Sequence, residues 1–308
     1  MKRKYIATFF VMTMISAQFI TGCGAEKTTQ KDTEQVVSIE DQVDSTEAQV
    51  ASKEELAASE ELTADGLTAV TGDQIKDGTY DVSVESSSSM FRIDECELTV
   101  KDGEMTATMT MGGKGYLKVF MGTGEEAVEA EEEDYIPYEE DSLGLHTYTV
   151  PVEALNQAID CAAFSKDREK WYDRTLIFHA SSIPVDALEE GVVTTVESLG
   201  LADGIYSVEV SLEGGSGKAS IESPTTLVVE NGEAQVEITW SSPNYDYMKL
   251  DDVKYELADQ EGNSNFILPI QVFDWNIAVI ADTIAMSEPH EIAYTIVLDS
   301  STITEAAE

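Results

Sequence analysis

Two copies of one sequence unit follow each other in this chain, and this repeat limits the possible folds more than any other feature. Asp77-Gly78-Thr79-Tyr80 recurs as Asp203-Gly204-Ile205-Tyr206, and the run from Leu98 to Glu104 recurs from Leu227 to Glu233. The matches keep their order, and their spacing changes by only a few residues. Such a pattern indicates a duplicated domain that has gained or lost residues in its loops.

Each copy has the residue pattern of short β-strands. In the second copy, Ile205 to Leu212 and Ala234 to Trp240 alternate between apolar and polar residues, which is typical of half-buried strands. Between them, Asn231-Gly232 is a strong signal for a hairpin turn. Neither copy contains a long apolar stripe with helical spacing. We therefore predict an all-β protein with two tandem immunoglobulin-like β-sandwich domains.

The domain boundaries follow from the repeat and from local composition. Residues 25–68 contain no aromatic side chain and are rich in Glu, Thr, Gln and Ser. Such a segment cannot bury enough apolar surface to offset the entropy lost on ordering. The predicted organisation is a signal peptide over 1–22, a disordered acidic tether over 23–68, a first sandwich over 69–185, a linker over 186–200 and a second sandwich over 201–304.

The amino terminus has the features of an export signal with lipid attachment. Lys2-Arg3-Lys4 precedes an apolar run from Tyr5 to Ile20, in the order expected of a secretory signal. The run ends in Ile20-Thr21-Gly22-Cys23, which resembles a bacterial lipobox. That resemblance implies that Cys23 becomes the diacylated, palmitate-bearing first residue of a lipoprotein anchored to the outer face of the cell membrane. An uncleaved anchor helix is the alternative, although the run is short for a membrane span.

The charge of the chain limits its partners. Lys and Arg number 18 against 60 Asp and Glu, which gives a formal net charge of -42. Nucleic acid is excluded as a partner because its recognition needs a basic surface. Electrostatic attraction to anionic lipid is excluded for the same reason, so membrane association is expected through the lipid on Cys23.

Two cysteines distinguish the first copy from the second. The second copy has Thr225 and Thr283 at the positions that match Cys96 and Cys161. A paired gain or loss is what a disulfide requires, and an exported compartment permits the bond. We predict a disulfide between Cys96 and Cys161. Two buried free thiols are the alternative.

The stretch from Trp240 to Met248 is the first candidate for a ligand site. It joins a predicted strand to a Ser-Pro-Asn turn and then to aromatic and thioether side chains. In an extended chain, alternation places Tyr247 on one face and Asp246 and Met248 on the other. Such a cluster is suited to gripping a flat apolar ligand, but it would equally close the end of a β-sandwich. The candidate binding residues of the stretch are Ser241, Ser242, Tyr245, Tyr247 and Met248.

The sequence contains no recognisable catalytic constellation. His146, His179 and His290 stand apart, without the spacing of metal ligands. A nucleophile elbow, a phosphate-binding loop and a dinucleotide fingerprint are all missing. We therefore expect a protein that is not an enzyme.

Several short motifs carry a resemblance to known haem-binding modules. They are the Asp-Gly-x-Tyr opening strand, the first connection with Ser88-Ser89-Met90-Phe91 or Ser216-Gly217-Lys218, the Tyr245-Asp246-Tyr247-Met248 hairpin, and the stretch from Ala285-Met286-Ser287 to Tyr294. Together these motifs resemble the immunoglobulin-like NEAT family and the streptococcal cell-surface haem-binding protein. The resemblance covers most of 69–185 and 195–304, and it implies haem as the cofactor.

The resemblance also raises the question of which side chain holds the haem iron. The NEAT pattern is Tyr-x-x-x-Tyr with the first Tyr as ligand, whereas here Tyr294 is followed by Leu298. The chain departs from the family at this point. The ligands expected instead are the thioethers of Met248 and Met286, from opposite sides of the site. Haem iron accepts this soft donor. Filling of the core is the alternative role for each methionine.

The function implied by the resemblance is the capture or relay of haem, or of a related iron ligand, at the cell surface. The expected partners are a haem or iron ABC transporter or other surface proteins. A surface adhesion or protein-interaction module with no small-molecule ligand is the alternative. A coloured protein would indicate haem binding, whereas an adhesion module would be colourless.

Overall fold

The computed structural model describes residues 49–56, 61–64, 66–251, 253–259, 261–285 and 289–306. The described residues belong to one compact unit. The predicted signal peptide and Cys23 lie outside the described residues. Among the helices that the structure describes, none combines the length and the apolar character needed to cross a membrane.

The first copy is built almost entirely from short strands. They are β1 (Val70–Thr71), β2 (Gly78–Asp81), β3 (Val84–Ser86), β4 (Ile93–Lys101), β5 (Glu104–Met111), β6 (Tyr116–Phe120), β7 (Ile136–Pro137), β8 (Glu139–Glu140), β9 (His146–Val152), β10 (Ala154–Leu155), β11 (Ala158–Ser165) and β12 (Trp171–Phe178).

The second copy has fewer and longer strands. They are β13 (Gly204–Gly214), β14 (Thr225–Glu230), β15 (Glu233–Thr239), β16 (Tyr245–Leu250), β17 (Val253–Glu256), β18 (Asn265–Ile270), β19 (Ile277–Thr283) and β20 (His290–Glu305). The described helices are short: α1 (Gly124–Glu129), α2 (Val196–Leu199), and the 3-10 turns Gly72–Gln74, Glu132–Asp134, Ala180–Ser182 and Val185–Ala187. The all-β prediction is confirmed.

The two copies share one strand order. The first copy has a sheet β3-β12-β11-β6-β7, a sheet β2-β4-β5-β9-β8 and a small pair of β1 with β10. The second copy has the order β17-β16-β19-β20-β13-β14-β15-β18. The opening strand is interrupted between β2 and β3, whereas β13 continues without a break. The two layers of the second copy are therefore joined into one eight-stranded sheet.

Matching hairpin turns mark the same point of both copies. Asp102 and Gly103 connect β4 to β5, and Asn231 and Gly232 connect β14 to β15. All four residues have positive φ values between 53° and 81°. Two positive φ angles give a two-residue turn the twist of the strands it joins, which is why Asn-Gly and Asp-Gly are favoured there. The hairpin prediction at Asn231-Gly232 is confirmed.

Alternation along the strands builds the apolar interior. In β15, Ala234, Val236 and Ile238 are buried, and the residues between them are exposed or half-buried. Each fully buried aliphatic side chain of this kind contributes roughly 1.5–3 kcal/mol of transfer free energy. The interior of the second copy also contains Trp240 and Phe266, both fully buried.

The segment between the copies is packed rather than loose. The Ile75–Leu188 bridge and the bond from Lys76 N to Ala187 O join it to the first copy. Phe273 N donates to Thr194 O, which joins it to the second copy. The predicted linker over 186–200 therefore has backbone partners on both sides, and it includes α2.

Part of the predicted disordered tether is also ordered. Trp171 N donates to Gln49 O across 2.9 Å, and Ala51 N donates to Trp171 O across 2.8 Å. Ala51 is buried, and Lys170 binds Glu55 at 3.0 Å. The open edge of β12 supplies the backbone partners that the composition of residues 23–68 does not reveal. This corrects the prediction for residues 49–56.

Candidate functional site

Tyr245 and Tyr294, two of the predicted ligand residues, form a closed aromatic cluster with Trp240. Trp240 stacks on Tyr245 with ring centroids 4.0 Å apart and meets Tyr294 edge-on at 5.0 Å. The hydroxyl groups of Tyr245 and Tyr294 share a hydrogen bond of 3.3 Å. All three rings are buried. The cluster is part of the core, so the prediction that these tyrosines form a ligand rim is corrected.

Met248 is likewise a core residue. Its side chain has no exposed surface, and the Trp240 indole Nε1 donates to its sulfur across 3.4 Å. A haem ligand needs an open approach to its sulfur, and here that approach is filled by the indole. In this structure Met248 takes the alternative role, that of filling the core. Met286, the second predicted thioether ligand, lies outside the described residues.

Burial also acts against Tyr294 as an iron ligand. A tyrosine binds iron as its phenolate, so it must lose its proton. Burial, reinforced by the hydrogen bond with Tyr245, raises the pKa of Tyr294 well above its ordinary value. The departure from the Tyr-x-x-x-Tyr pattern therefore coincides with a tyrosine that resists ionisation.

A β-bulge explains why the predicted faces were wrong. Tyr245 pairs with Thr283 and Tyr247 pairs with Asp282, which leaves Asp246 as an extra residue in β16. The extra residue restarts the alternation. Tyr245 and Met248 both reach the core as a result, whereas Tyr247 points to the outer face. Asp246 and Met248 do not share a face, contrary to the prediction.

Ser241 and Ser242 shape a turn. Ser242 Oγ accepts from Asn244 Nδ2 at 3.0 Å and from Asn244 N at 3.3 Å. Ser241 N donates to the Ser220 carbonyl oxygen at 2.9 Å. The Ser242 bonds stabilise the connection of β15 to β16, and the Ser241 bond joins this connection to the one between β13 and β14.

The outer face of the same strands carries a polar network. Tyr247 Oη donates to Glu291 Oε1 across 2.6 Å, and Lys249 Nζ binds the same oxygen at 2.5 Å. Lys254 Nζ lies 4.0 Å from the centre of the Tyr247 ring. The hydrogen bond to Glu291 raises the pKa of Tyr247 to about 12. Tyr247 is thus held in its neutral form on the outer face of the sheet.

The two cysteines of the first copy are free thiols, which corrects the predicted disulfide. Cys96 lies on β4 and Cys161 on β11, in two different sheets. The two thiols belong to the same apolar interior without being bonded to each other. Both thiols are buried, and burial raises the pKa of each to about 12.

The candidate site that the structure offers instead is a groove between the two copies. Its volume is about 660 Å³. It lies between the connection that follows β12 and the β16–β17 hairpin, with the start of β19 as its floor. Its apolar wall includes Pro184, Val185, Leu250, Tyr255, Trp275 and Ile277.

The groove combines its apolar wall with a few polar and ionisable side chains. Its ionisable lining residues are Asp186, Asp251 and Tyr255, and its other polar residues include Ser181 and Asn276. A volume of this size lies within the ~300–1,000 Å³ typical of small-molecule sites. We refer to it below as the inter-copy groove.

Two other recesses have a comparable size but a different character. One of about 600 Å³ lies between β3 and β4 and is lined by the carboxylates of Asp81, Asp94 and Glu95. The other, of about 520 Å³, is lined by residues of α2, β15 and β18. Neither has an aromatic side chain among its lining residues. The inter-copy groove alone among these three combines volume with aromatic walls.

No local sequence pattern predicts this groove. Trp275 follows Phe273-Asp274 in a short connection, and Tyr255 lies on a four-residue strand, so neither belongs to a periodic pattern. Both residues line the groove, and Val272 and Trp275 of the second copy pack into the apolar cluster of the first. Contacts between copies carry no local sequence signal.

Comparison of the sequence with protein-family models and with curated proteins gave no match.

Proposed function

We propose that this chain is a non-enzymatic, lipid-anchored protein of the cell surface that binds a flat apolar ligand of haem size in the inter-copy groove. The observation that carries the proposal is the groove itself, with Tyr255 and Trp275 on its wall and a volume of about 660 Å³. Aromatic walls favour flat ligands because ring faces stack on them. The lipobox-like Ile20-Thr21-Gly22-Cys23 supports the surface location.

Haem is the ligand class that the sequence motifs favour, and the proposal moves its site from the Trp240–Met248 stretch to the inter-copy groove. Of the residues that line the groove, Tyr255 has the side chain known to ligate haem iron, as a phenolate. Ser181, Asn276 and Gln271 supply polar groups at the same site. The excess of carboxylates in the chain opposes the propionates of haem, so apolar contact must carry the affinity.

A haemin titration followed by absorbance tests this proposal. The wild type should show a saturable Soret shift at micromolar haemin. Tyr255→Phe should move the Soret maximum or lower the affinity by about tenfold, because the variant keeps the ring and loses the oxygen ligand. Tyr247→Phe is the matched control on the outer face of the same hairpin and should leave the spectrum unchanged.

Two other outcomes of the titration would distinguish the ligand from the residue proposed to hold it. A Soret shift that Tyr255→Phe leaves unchanged would keep haem as the ligand and reject this ligand residue. The absence of any shift at micromolar haemin would reject haem. The groove would then need a screen of iron-free flat apolar compounds by Trp275 fluorescence.

A protein-interaction function is the second candidate, and a different surface favours it. Met90 is 72% exposed and Leu143 is 81% exposed, in connections at the same end of the first copy. Exposed apolar side chains that lie together in one patch mark contact surfaces. Substitution of both by Ser should abolish retention on a partner surface while leaving any haemin titration unchanged.

A further inference from the structure

A buried carboxylate lies beneath the polar network on the outer face of the second copy. β19 lies between β16 and β20, and Asp282 of β19 pairs with Tyr247 on one side and with Glu291 on the other. The hydrogen bond from Tyr247 Oη to Glu291 therefore passes over the Asp282 position. This cover explains why Asp282 is only 3% exposed although it points away from the core.

Asp282 meets a second carboxyl group under this cover. Asp246, the extra residue of the bulge, lies within hydrogen-bonding reach of Asp282. Asp246 Oδ1 and Asp282 Oδ2 are both closed to water, and neither has a hydrogen-bond donor. Two ionised carboxylates have only acceptor oxygens and cannot bond to each other. A proton or a cation is therefore required between the two carboxyl groups.

We propose that Asp246 and Asp282 form a proton-binding site in which one proton is held between the two carboxyl groups. The protonated oxygen donates to the ionised carboxylate, so that both buried oxygens are satisfied. One carboxyl then keeps its negative charge and the other is neutral, as expected when two carboxylates share one buried site. The pair fixes the bulge of β16 against β19.

The surroundings favour a proton over a metal ion. Within the described residues, no group of three or more His, Cys, Asp or Glu side chains is arranged to hold a metal. Calcium takes six to eight oxygen ligands, and water cannot supply them to oxygens that it does not reach. A proton needs only the two oxygens already present.

The charged and titratable groups around the pair carry as many positive as negative charges, so they do not neutralise the two Asp carboxyls. They are Tyr247 and Lys249 on β16, Lys254 and Glu256 on β17, and His290 and Glu291 on β20. Lys249 is engaged by Glu291, and Lys254 lies over the Tyr247 ring. Neither lysine is therefore free to neutralise the second carboxylate.

The pH dependence of stability follows from the direction of the shift. Burial, followed by the interaction with Asp246, raises the pKa of Asp282 above its ordinary value of 3.8. Above pH 3.8 the unfolded chain has released this proton while the folded protein still holds it. The stability therefore falls as the pH rises, and it levels off once the folded pKa is passed.

The test compares full-length wild type with Asp282→Asn, Asp246→Asn and the control Asp203→Asn. The Asn amide supplies a permanent donor to the remaining carboxylate. Asp282→Asn should therefore raise Tm at pH 8 by about 3 °C and reduce the fall of Tm between pH 4 and pH 8. Asp246→Asn should do the same, because either carboxyl can carry the proton. Asp203 is exposed, so Asp203→Asn removes a charge without this effect.

A second measurement observes the proton directly. In protein with ¹³C-labelled Asp carboxyls, one resonance should titrate above the ordinary Asp pKa of 3.8, and it should vanish in Asp282→Asn. Ordinary titration of every carboxyl, or a Tm–pH curve of Asp282→Asn that parallels Asp203→Asn, would overturn the proposal. A rise in Tm with 1 mM Ca²⁺ in the wild type but not in Asp282→Asn would show a cation site and would also overturn it.

Discussion

The indole nitrogen of Trp240 donates a hydrogen bond to the sulfur of Met248 across 3.4 Å, and both side chains are fully buried. Trp240 follows β15 and Met248 lies on β16, and these two strands are far apart in the order of the sheet. The bond therefore crosses the interior between the two layers of the second copy. Met248 is a packing residue whose sulfur also satisfies a buried donor.

Met248→Ala should lower the free energy of unfolding by about 2–5 kcal/mol. The substitution leaves a cavity, and it deprives the buried Trp240 N–H of its acceptor. Urea unfolding followed by tryptophan fluorescence measures the change.

Met90→Ala is the control for this loss, because Met90 is exposed on the first copy. It should change stability by less than about 0.5 kcal/mol. Equal effects of the two substitutions would show that Met248 is not the core residue described above. The haemin affinity of the folded protein should be the same in both variants, since neither residue lines the inter-copy groove.

The repeat predicted the fold well because its signals are local. Alternating residues define a strand by their own sequence, and Asn231-Gly232 defines a turn by its backbone preference. The same short signals occur in both copies, so both copies adopt one strand order. The continuation of β13 through both layers was not predicted, because an interruption such as that between β2 and β3 depends on packing.

The candidate site was poorly predicted because it depends on a single extra residue and on contacts between the copies. Strict alternation placed Asp246 on the same face as Met248, and the bulge at Asp246 has no sequence signature that alternation reveals. The pairing of Cys96 with Cys161 failed for a related reason. Matching positions in a repeat indicate that two residues vary together, but they do not show that the two side chains are bonded.

The two cysteines of the first copy should be unreactive thiols in the folded protein. Thiolate is the reactive species, and burial raises the pKa of both Cys96 and Cys161 to about 12. A thiol reagent at pH 8 should label neither residue until urea is added. The Tm should be unchanged by a reducing agent.

A disulfide between Cys96 and Cys161 would instead have a measurable effect on stability. A disulfide that closed the long loop between these cysteines would contribute ~4 kcal/mol. Reduction would then lower Tm by roughly 10 °C. Such a fall would restore the original prediction and contradict the free thiols of the structure.

Filling the inter-copy groove should block ligand binding without disturbing the fold. Ala278 is exposed on β19 and lines the groove, so Ala278→Phe places a ring in the ligand volume. The haemin affinity should fall by about tenfold or more, which corresponds to 1.4 kcal/mol or more.

Ala293→Phe is the matched control, because Ala293 is exposed on β20 and is not among the groove residues. Its affinity should stay within about twofold of the wild type. If both variants bind haemin as the wild type does, the ligand site lies elsewhere and the groove is only a seam between the copies.

Residues 49–56 should be released from the edge of β12 by one backbone change. Ala51→Pro removes the N–H that binds the Trp171 carbonyl oxygen, and proline also restricts the residue before it. One such hydrogen bond contributes about 1 kcal/mol, which is a large part of what holds so short a segment. Hydrogen exchange of residues 49–56 and of the Trp171 amide should therefore become faster.

Lys53→Pro is the control for that release. Lys53 is exposed, and it opens the turn in which Glu55 N and Leu56 N donate to Ser52 O, a position where proline is tolerated. In the Lys53→Pro variant, the amides of Ala51 and Trp171 should be as protected from hydrogen exchange as they are in the wild type. Protection retained in Ala51→Pro would mean that the Lys170–Glu55 ion pair and the burial of the Ala51 side chain hold the segment, rather than the backbone bonds to Trp171.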